Sequence, residues 1–362
     1  MIDQHCHSVL AGDLDDAAFA ALLTESDLPP APGTSRWESS IGLAVRRWCA
    51  PALGLPALAE PADYLARRRE LPDPAGTLLR AAGLDALLVD TGLTAAAGRP
   101  LLPLAELGAA AGARVREVVR LESVAERTAR DAAGPAGWLA ATAEALHGAA
   151  AGGAVAFKSV LAYRSGLAVP PEPPSAAEVL RAAGQWLRGP RTRLADPVLG
   201  RHLLWTALDC GLPIQFHTGL GDPDLRPADG DPALLADFLR TAGPRGVPVV
   251  LLHCYPYHRT AAWLAHCFPH VSVDVGLTLS HTGARAAAVL GEVLEVAPFD
   301  QVLFSTDAYG LPELYLAGAA QFRHALAVLL AGWQRDGACT AADAGRITRR
   351  TSGANARRLY RL

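Results

Sequence analysis

Two histidines separated by one residue, His5-Cys6-His7, open a chain whose other chemistry-bearing residues stand singly at the ends of short apolar runs. Lys158 follows "VAF", His217 follows "PIQF", His253 follows "VVLL" and Asp307 follows "VLFST". In a strand, residues i and i+2 share a face, so His5 and His7 point one way and Cys6 the other. Imidazole nitrogens and a carboxylate are suitable ligands for Zn²⁺, and also for Mn²⁺, Fe²⁺ or Ni²⁺. A divalent ion held by such residues activates water, and a carboxylate or imidazole beside it moves the proton. Each residue taken alone has a plainer explanation. A lone histidine is commonly a hydrogen-bonded framework residue, and Asp307 before "AYG" could cap a loop or the next helix. Six of them at matching strand ends point to one shared site.

Lys158 carries a second signal. It is the only lysine in the chain, within a total of 33 Lys and Arg residues. The Ala, Gly, Pro and Arg bias of a GC-rich genome explains why lysine is scarce, but not why the remaining one sits beside the other site candidates. Arginine stays protonated and presents a planar fork, so it cannot offer the neutral amine or the compact point charge of lysine.

Elements that would position these residues alternate along the chain. Strands are predicted at Met1–His7, Ala86–Gly92, Glu117–Glu122, Ala154–Val160, Pro213–Thr218, Val247–Cys254, Val271–Gly276 and Gln301–Asp307. Helical periodicity lies between most of them, as at Ala136–Ala149, Asp231–Arg240, Thr260–His266 and Ala284–Val296. Eight strands alternating with helices predict an α/β fold, a (β/α)8 TIM barrel, with its site at the C-terminal ends of the strands. A doubly wound sheet shares the local pattern and is the alternative. A plain barrel takes roughly 250 residues, so this chain of 362 residues is expected to form a single domain with insertions. Residues 11–80, containing "TSRWESSIGLAVRRWCAPALGLP" and "PADYLARRRELPDP", are predicted to form a helical lid after the first strand. The Pro-rich connection 161–212 is also long enough to suggest function.

Apolar residues make up 51% and charged residues 19% of the chain, enough for a large core and against disorder. The net charge of −3 gives no basic field for nucleic acid or an anionic membrane. "RRR" at 67–69 and the basic stretch 349–361 are expected to be solvated helix faces. No uninterrupted apolar run reaches the ~18 residues that span a bilayer, and "MIDQHCHSVL" lacks the basic start and apolar stretch of a secretory signal. The expectation is a soluble cytoplasmic protein that acts on a small molecule, with a homodimer admitted as an assembly state. Six scattered cysteines with no CxxC pair are expected to be reduced thiols.

The order His5-x-His7, Lys158, His217, His253, Asp307 resembles the amidohydrolase superfamily. "FKSVLAYRSGL", "PIQFHTGLGD", "VLFSTDAYGLPELYLAGA" and "SGANARRLYRL" resemble its amidohydrolase-2 branch, and within that the FluG-type amidohydrolase-like domains. The resemblance runs from residue 2 to residue 362 and is weakest in 11–80. It implies that His5 and His7 bind a buried metal, with Asp307 as further ligand and general base. His217 and His253 would complete a second metal position, or divide between ligand and carbonyl-polarising roles. In two-metal members a fourth-strand lysine carries a carbamate that bridges the metals, and Lys158 lies on that strand. The cofactor expected is one or two divalent ions, Zn²⁺ first, with Mn²⁺, Fe²⁺ or Ni²⁺ as alternatives. Many superfamily hydrolases carry a β-sandwich built from both chain ends. His5 leaves no room for its first half, so the compact branch architecture is expected.

Substrate contacts are sought in Arg120 at the end of the third strand, in Tyr163 and Arg164 after the fourth, and in His281 after the seventh. Arginines converging on a metal site commonly grip a carboxylate, although Arg120 could equally pair with Glu122 or another strand-end acid. Glu313 could hold a ligand amine or cap its helix. The function expected is hydrolysis of an amide-type C–N bond in a small carboxylate-bearing substrate, with Asp307, His253 and Lys158 as the catalytic groups. The alternatives are decarboxylation of a small aromatic or unsaturated acid, and a catalytically silent binding barrel.

Overall fold

The computed structural model describes residues 1–190 and 193–362. Seven parallel strands form one sheet in sequence order among the described residues: β1 Ile2–Cys6, β2 Ala86–Asp90, β3 Arg114–Arg120, β4 Ala156–Ser159, β5 Ile214–Thr218, β6 Val249–His253 and β7 Val271–Val273. Every residue of β1, β2, β4, β5, β6 and β7 is buried. Strands covered on both faces read as near-continuous apolar runs, which is why these segments were legible.

The eighth predicted strand is less regular than expected, yet it closes the ring. The amide of Val273 donates to the carbonyl of Gln301 at 2.9 Å, and Leu303 N donates back to Val273 O at 2.9 Å. On the other side, Gln4 N donates to Phe304 O at 3.1 Å and Asp307 N to His5 O at 3.0 Å. Segment 301–308 therefore joins β7 to β1. Its ladder is interrupted because Asp307 has φ +51°, outside the extended region. The seventh predicted strand is also shorter, since Gly276 begins the helix Gly276–Thr282 with its backbone against Ser305, where a Cβ would overlap the serine.

Inside the ring, Ile2, Leu88, Val118, Val250, Leu252 and Leu303 form an apolar floor with Ala356 and Tyr360 of the last helix, Asn355–Tyr360. The helices pack outside. The 24-residue helix Pro312–Arg335 has the length and hydropathy to cross a membrane, and 56% of its most apolar window is buried within the fold. The six cysteines are unpaired.

Residues 11–80 hold the helices Asp16–Ala21, Ser40–Ala52, Pro61–Glu70 and Pro74–Ala81. Pro74–Ala81 and Ser40–Ala52 pack on Pro312–Arg335 and belong to the outer layer. Phe19, Trp37 and Tyr64 gather in one aromatic cluster, with Phe19 stacked on Trp37 at 5.3 Å between centroids. Arg68 overturns the expectation that 67–69 is a solvated face. It is only 5% exposed, and its Nε donates to the fully buried Glu313 at 2.6 Å, with the Tyr64 hydroxyl donating to the same oxygen at 3.1 Å. Glu313 therefore ties the insertion to helix Pro312–Arg335 and does not border the mouth cavity. Arg68→Ala strands a buried carboxylate and is expected to cost about 3–5 kcal/mol of unfolding free energy, measured by denaturant titration.

Candidate metal centre

A β-bulge in β1 builds the first part of the site. Asp3 pairs with Leu87 and Cys6 with Val89, so three steps on β1 face two on β2. The extra residue re-aims the local side chains. The result brings His5 Nε2 to 3.1 Å and His7 Nε2 to 3.5 Å from the same oxygen, Asp307 Oδ1. His253 Nε2 stands 3.5 Å from Asp307 Oδ2, and Lys158 Nζ 3.0 Å from His5 Nε2. His217 completes the group by packing on His253, at 4.7 Å between ring centroids. The structure thus brings together all six residues singled out at the strand ends.

Backbone conformation marks the same place. His253, Cys254 and Asp307 all have positive φ, at 67°, 60° and 51°. Such conformations are uncommon for non-glycine residues and persist where surrounding contacts hold them. Here the His253 amide donates to Asp274 Oδ1 at 2.9 Å, and Thr306 N donates to Asp3 Oδ1 at 2.9 Å just before Asp307.

The donor set fits a cation. His7 Nδ1 faces the carbonyl of Asp90 at 3.1 Å, and a carbonyl only accepts, so that nitrogen carries the proton and His7 Nε2 presents a lone pair. His5 Nδ1 lies 2.8 Å from Gln215 Oε1, which asks the same of His5. His5, His7 and Asp307 can then offer three ligand atoms lying within 4.8 Å of one another. His217 Nε2, both ring nitrogens of His253 and Asp307 Oδ1 are buried without a hydrogen-bond partner among the described residues. Lone pairs gathered out of water in this way are costly unless a cation shares them.

The electrostatics agree. Burial, reinforced by Lys158, pushes the His5 imidazole down to about 4. Burial likewise takes His253 down to about 3, against the pull of Asp307, and it pushes His217 well below its ordinary value, with His253 adding to the effect. Burial alone would raise the Asp307 carboxyl, but the surrounding imidazoles of His253, His5 and His7 hold it well below the usual carboxylate range. Lys158 is drawn down to about 8 by burial, with Asp307 and Asp90 opposing.

A cavity of about 570 Å³ opens above these groups, bordered by His7, Lys158, His217 and Asp307. Of the four expected substrate contacts, Arg120, Tyr163 and Arg164 border it as well, and His281 does not. His281 faces a separate, more open recess and lies 3.4 Å from Glu25. Arg120 is paired with a strand-end acid, as one reading of the sequence allowed. That acid is Asp90, fully buried at the end of β2, with Arg120 Nη2 donating to Oδ2 at 2.6 Å. Burial would raise the Asp90 carboxyl, yet Arg120 holds it below the usual range. Arg164 lies 3.4 Å from Glu126 and keeps a buried Nε without a partner among the described residues. Tyr163 packs on His217 at 4.4 Å between centroids. Gly221 lets the loop after β5 close over both rings, since a Cβ there would overlap Tyr163 Oη and crowd His217 Nε2.

Three parts of the site were not singled out from sequence. Asp90 could have been found as a lone acid ending an apolar run. Gln215 could have been found as a polar residue two before His217, and so on the same face. The cavity wall formed by Thr24–Asp27, Asp222 and Asp224 lies in loops and left no periodic signal.

The chain matches the amidohydrolase family over residues 2–362. It is 32% identical over 223 residues to Protein fluG of Emericella nidulans, an alignment covering 58% of this chain and 26% of that protein. The chain therefore spans about a quarter of that relative's length. A Lactobacillus casei ATCC 334 protein inferred to be a metal-dependent hydrolase superposes with a TM-score of 0.87 at 30% identity, over 100% of this chain and 95% of that one. A uronate isomerase from Thermotoga maritima shares the fold at a TM-score of 0.65 and 16% identity, over 99% of this chain and 94% of the other. With a closed ring of strands, a family match along its whole length and a near-complete structural relative, this chain belongs to the amidohydrolase family.

Proposed function

We propose that the protein is a metal-dependent hydrolase of an amide-type C–N bond in a small substrate bearing a carboxylate. The observation that carries this reading is the convergence of His5 Nε2 and His7 Nε2 on Asp307 Oδ1, three ligand atoms buried at the base of a cavity. His5, His7 and Asp307 would hold the first ion. His217, His253 and Lys158 would hold a second, with Lys158 as its carbamate. When bound, the metal supplies Lewis acidity toward the scissile carbonyl and the attacking water.

The chain's own groups account for the rest of the chemistry. Asp307 accepts a proton from the attacking water at a carboxylate oxygen and passes it to the leaving nitrogen. His253, whose Nε2 faces Asp307 Oδ2 at 3.5 Å, would serve as a ligand where two ions bind, and in a one-ion centre its ring would instead polarise the carbonyl oxygen. Arg164 and the outer edge of Arg120, which border the cavity, bind the substrate carboxylate. Ala21, Leu22 and residues 24–27 are the part of the insertion that borders the cavity, and there they act as the lid that limits bulk water.

A panel of N-acyl amino acids, each beside its decarboxylated or methyl-ester counterpart, tests this with the Zn²⁺- or Mn²⁺-loaded protein. Release of free amine from carboxylate-bearing members, with at least a tenfold loss of kcat/KM on esterification, is the expected result. Release of CO₂ without amine from any member would overturn the assignment.

A further inference from the structure

A buried hydrogen-bonded chain runs from Tyr360 in the last helix up to the ring of His5. Gln215, on β5, presents Oε1 to His5 Nδ1 at 2.8 Å. Its Nε2 faces acceptors only on the other side: the carbonyl of Gln4 at 2.7 Å, Gln4 Oε1 at 3.1 Å and the hydroxyl oxygen of Tyr360 at 2.8 Å. An amide turned the other way would set its oxygen against two carbonyl oxygens, so the Nε2-down orientation is the one that satisfies the group. Tyr360 in turn donates to Gln4 Oε1, and Gln4 Nε2 donates to Asp274. All the members of this chain are buried, Gln4, Gln215 and Asp274 completely and Tyr360 to 4% exposure.

We propose that Gln215, locked by Tyr360 and Gln4, is a positioning residue that keeps the proton on His5 Nδ1 and so frees His5 Nε2 as a metal ligand. A polar relay in an otherwise apolar barrel floor is costly unless each member is satisfied. This one is satisfied, and its upper end is a ring nitrogen of the candidate centre. Partners of this kind orient a ligating imidazole and raise its basicity, and losing one typically lowers metal affinity about 10–100-fold. The C-terminal helix thereby acts on the metal site without touching it.

The inference rests on His5 being a metal ligand, and its test separates the two. In Tyr360→Phe and Gln215→Leu, the Zn²⁺ dissociation constant is measured by competition with a chromophoric chelator, alongside the thermal midpoint. Nitrogen-15 shifts of the His5 ring are recorded in the metal-free parent chain. Expected are a rise in Kd of about tenfold or more in both variants and an Nδ1–H tautomer for His5 in the parent. An unchanged Kd beside a lowered thermal midpoint would mean a structural role only and would overturn the proposal. An Nε2–H tautomer in the parent would overturn it as well, and that readout stands even where a variant does not fold. A parent chain that binds no Zn²⁺ at all, with the Nδ1–H tautomer intact, would instead sink the metal reading and leave the positioning of the ring in place.

Discussion

Asp307→Asn lowers kcat by about 10²–10⁴-fold, the range associated with losing a positioned acid–base group, while the fold survives. Asparagine is among the few residues that tolerate a left-handed conformation, so the φ of 51° at this position is retained. The change removes the carboxylate that His5, His7 and His253 surround at 3.1–3.5 Å, and with it both a ligand charge and the proton acceptor. Steady-state rates on the best substrate, with circular dichroism to confirm folding, measure the effect. A loss below tenfold would show that another group moves the proton.

Lys158→Ala and Lys158→Arg both lose about 10²-fold or more in kcat, and the arginine variant recovers nothing. The reason is geometric as well as chemical. Lys158 is 2% exposed, with Nζ 3.0 Å from His5 Nε2, and a guanidinium neither fits that point contact nor takes up CO₂. Metal-loaded protein equilibrated with ¹³C-bicarbonate is expected to show one carbamate carbon resonance that is absent from Lys158→Ala. If the resonance is missing but both variants are still inactive, Lys158 contacts the substrate directly as an amine.

How much of this was legible beforehand depends on the kind of signal each part left. The strand ends were readable because each apolar run stops at a residue with lone pairs, and the period-two rule put His5 and His7 on one face. The ring closure was readable as well, except where Asp307 leaves the extended region and breaks the last ladder. Arg68 was misread. Three consecutive arginines look like a solvated face, and nothing local shows that a carboxylate 245 residues away is waiting in the core. His281 was misplaced for a related reason: the short β7 turns directly into a helix at Gly276 and carries it to another recess. Gln215 and Tyr360 were missed because their value lies in a relay that crosses the barrel, and such pairings leave no spacing in the sequence. The cavity wall around Glu25 depends on loop conformation, which composition does not fix.

Elemental analysis of protein expressed in medium supplemented with Zn²⁺ and Mn²⁺, then dialysed without chelator, tests the central claim most directly. The parent chain is expected to retain one to two equivalents of a divalent transition metal, and a His5→Ala/His7→Ala double variant much less than one. A parent chain that is folded and metal-free under these conditions would contradict the account at its base.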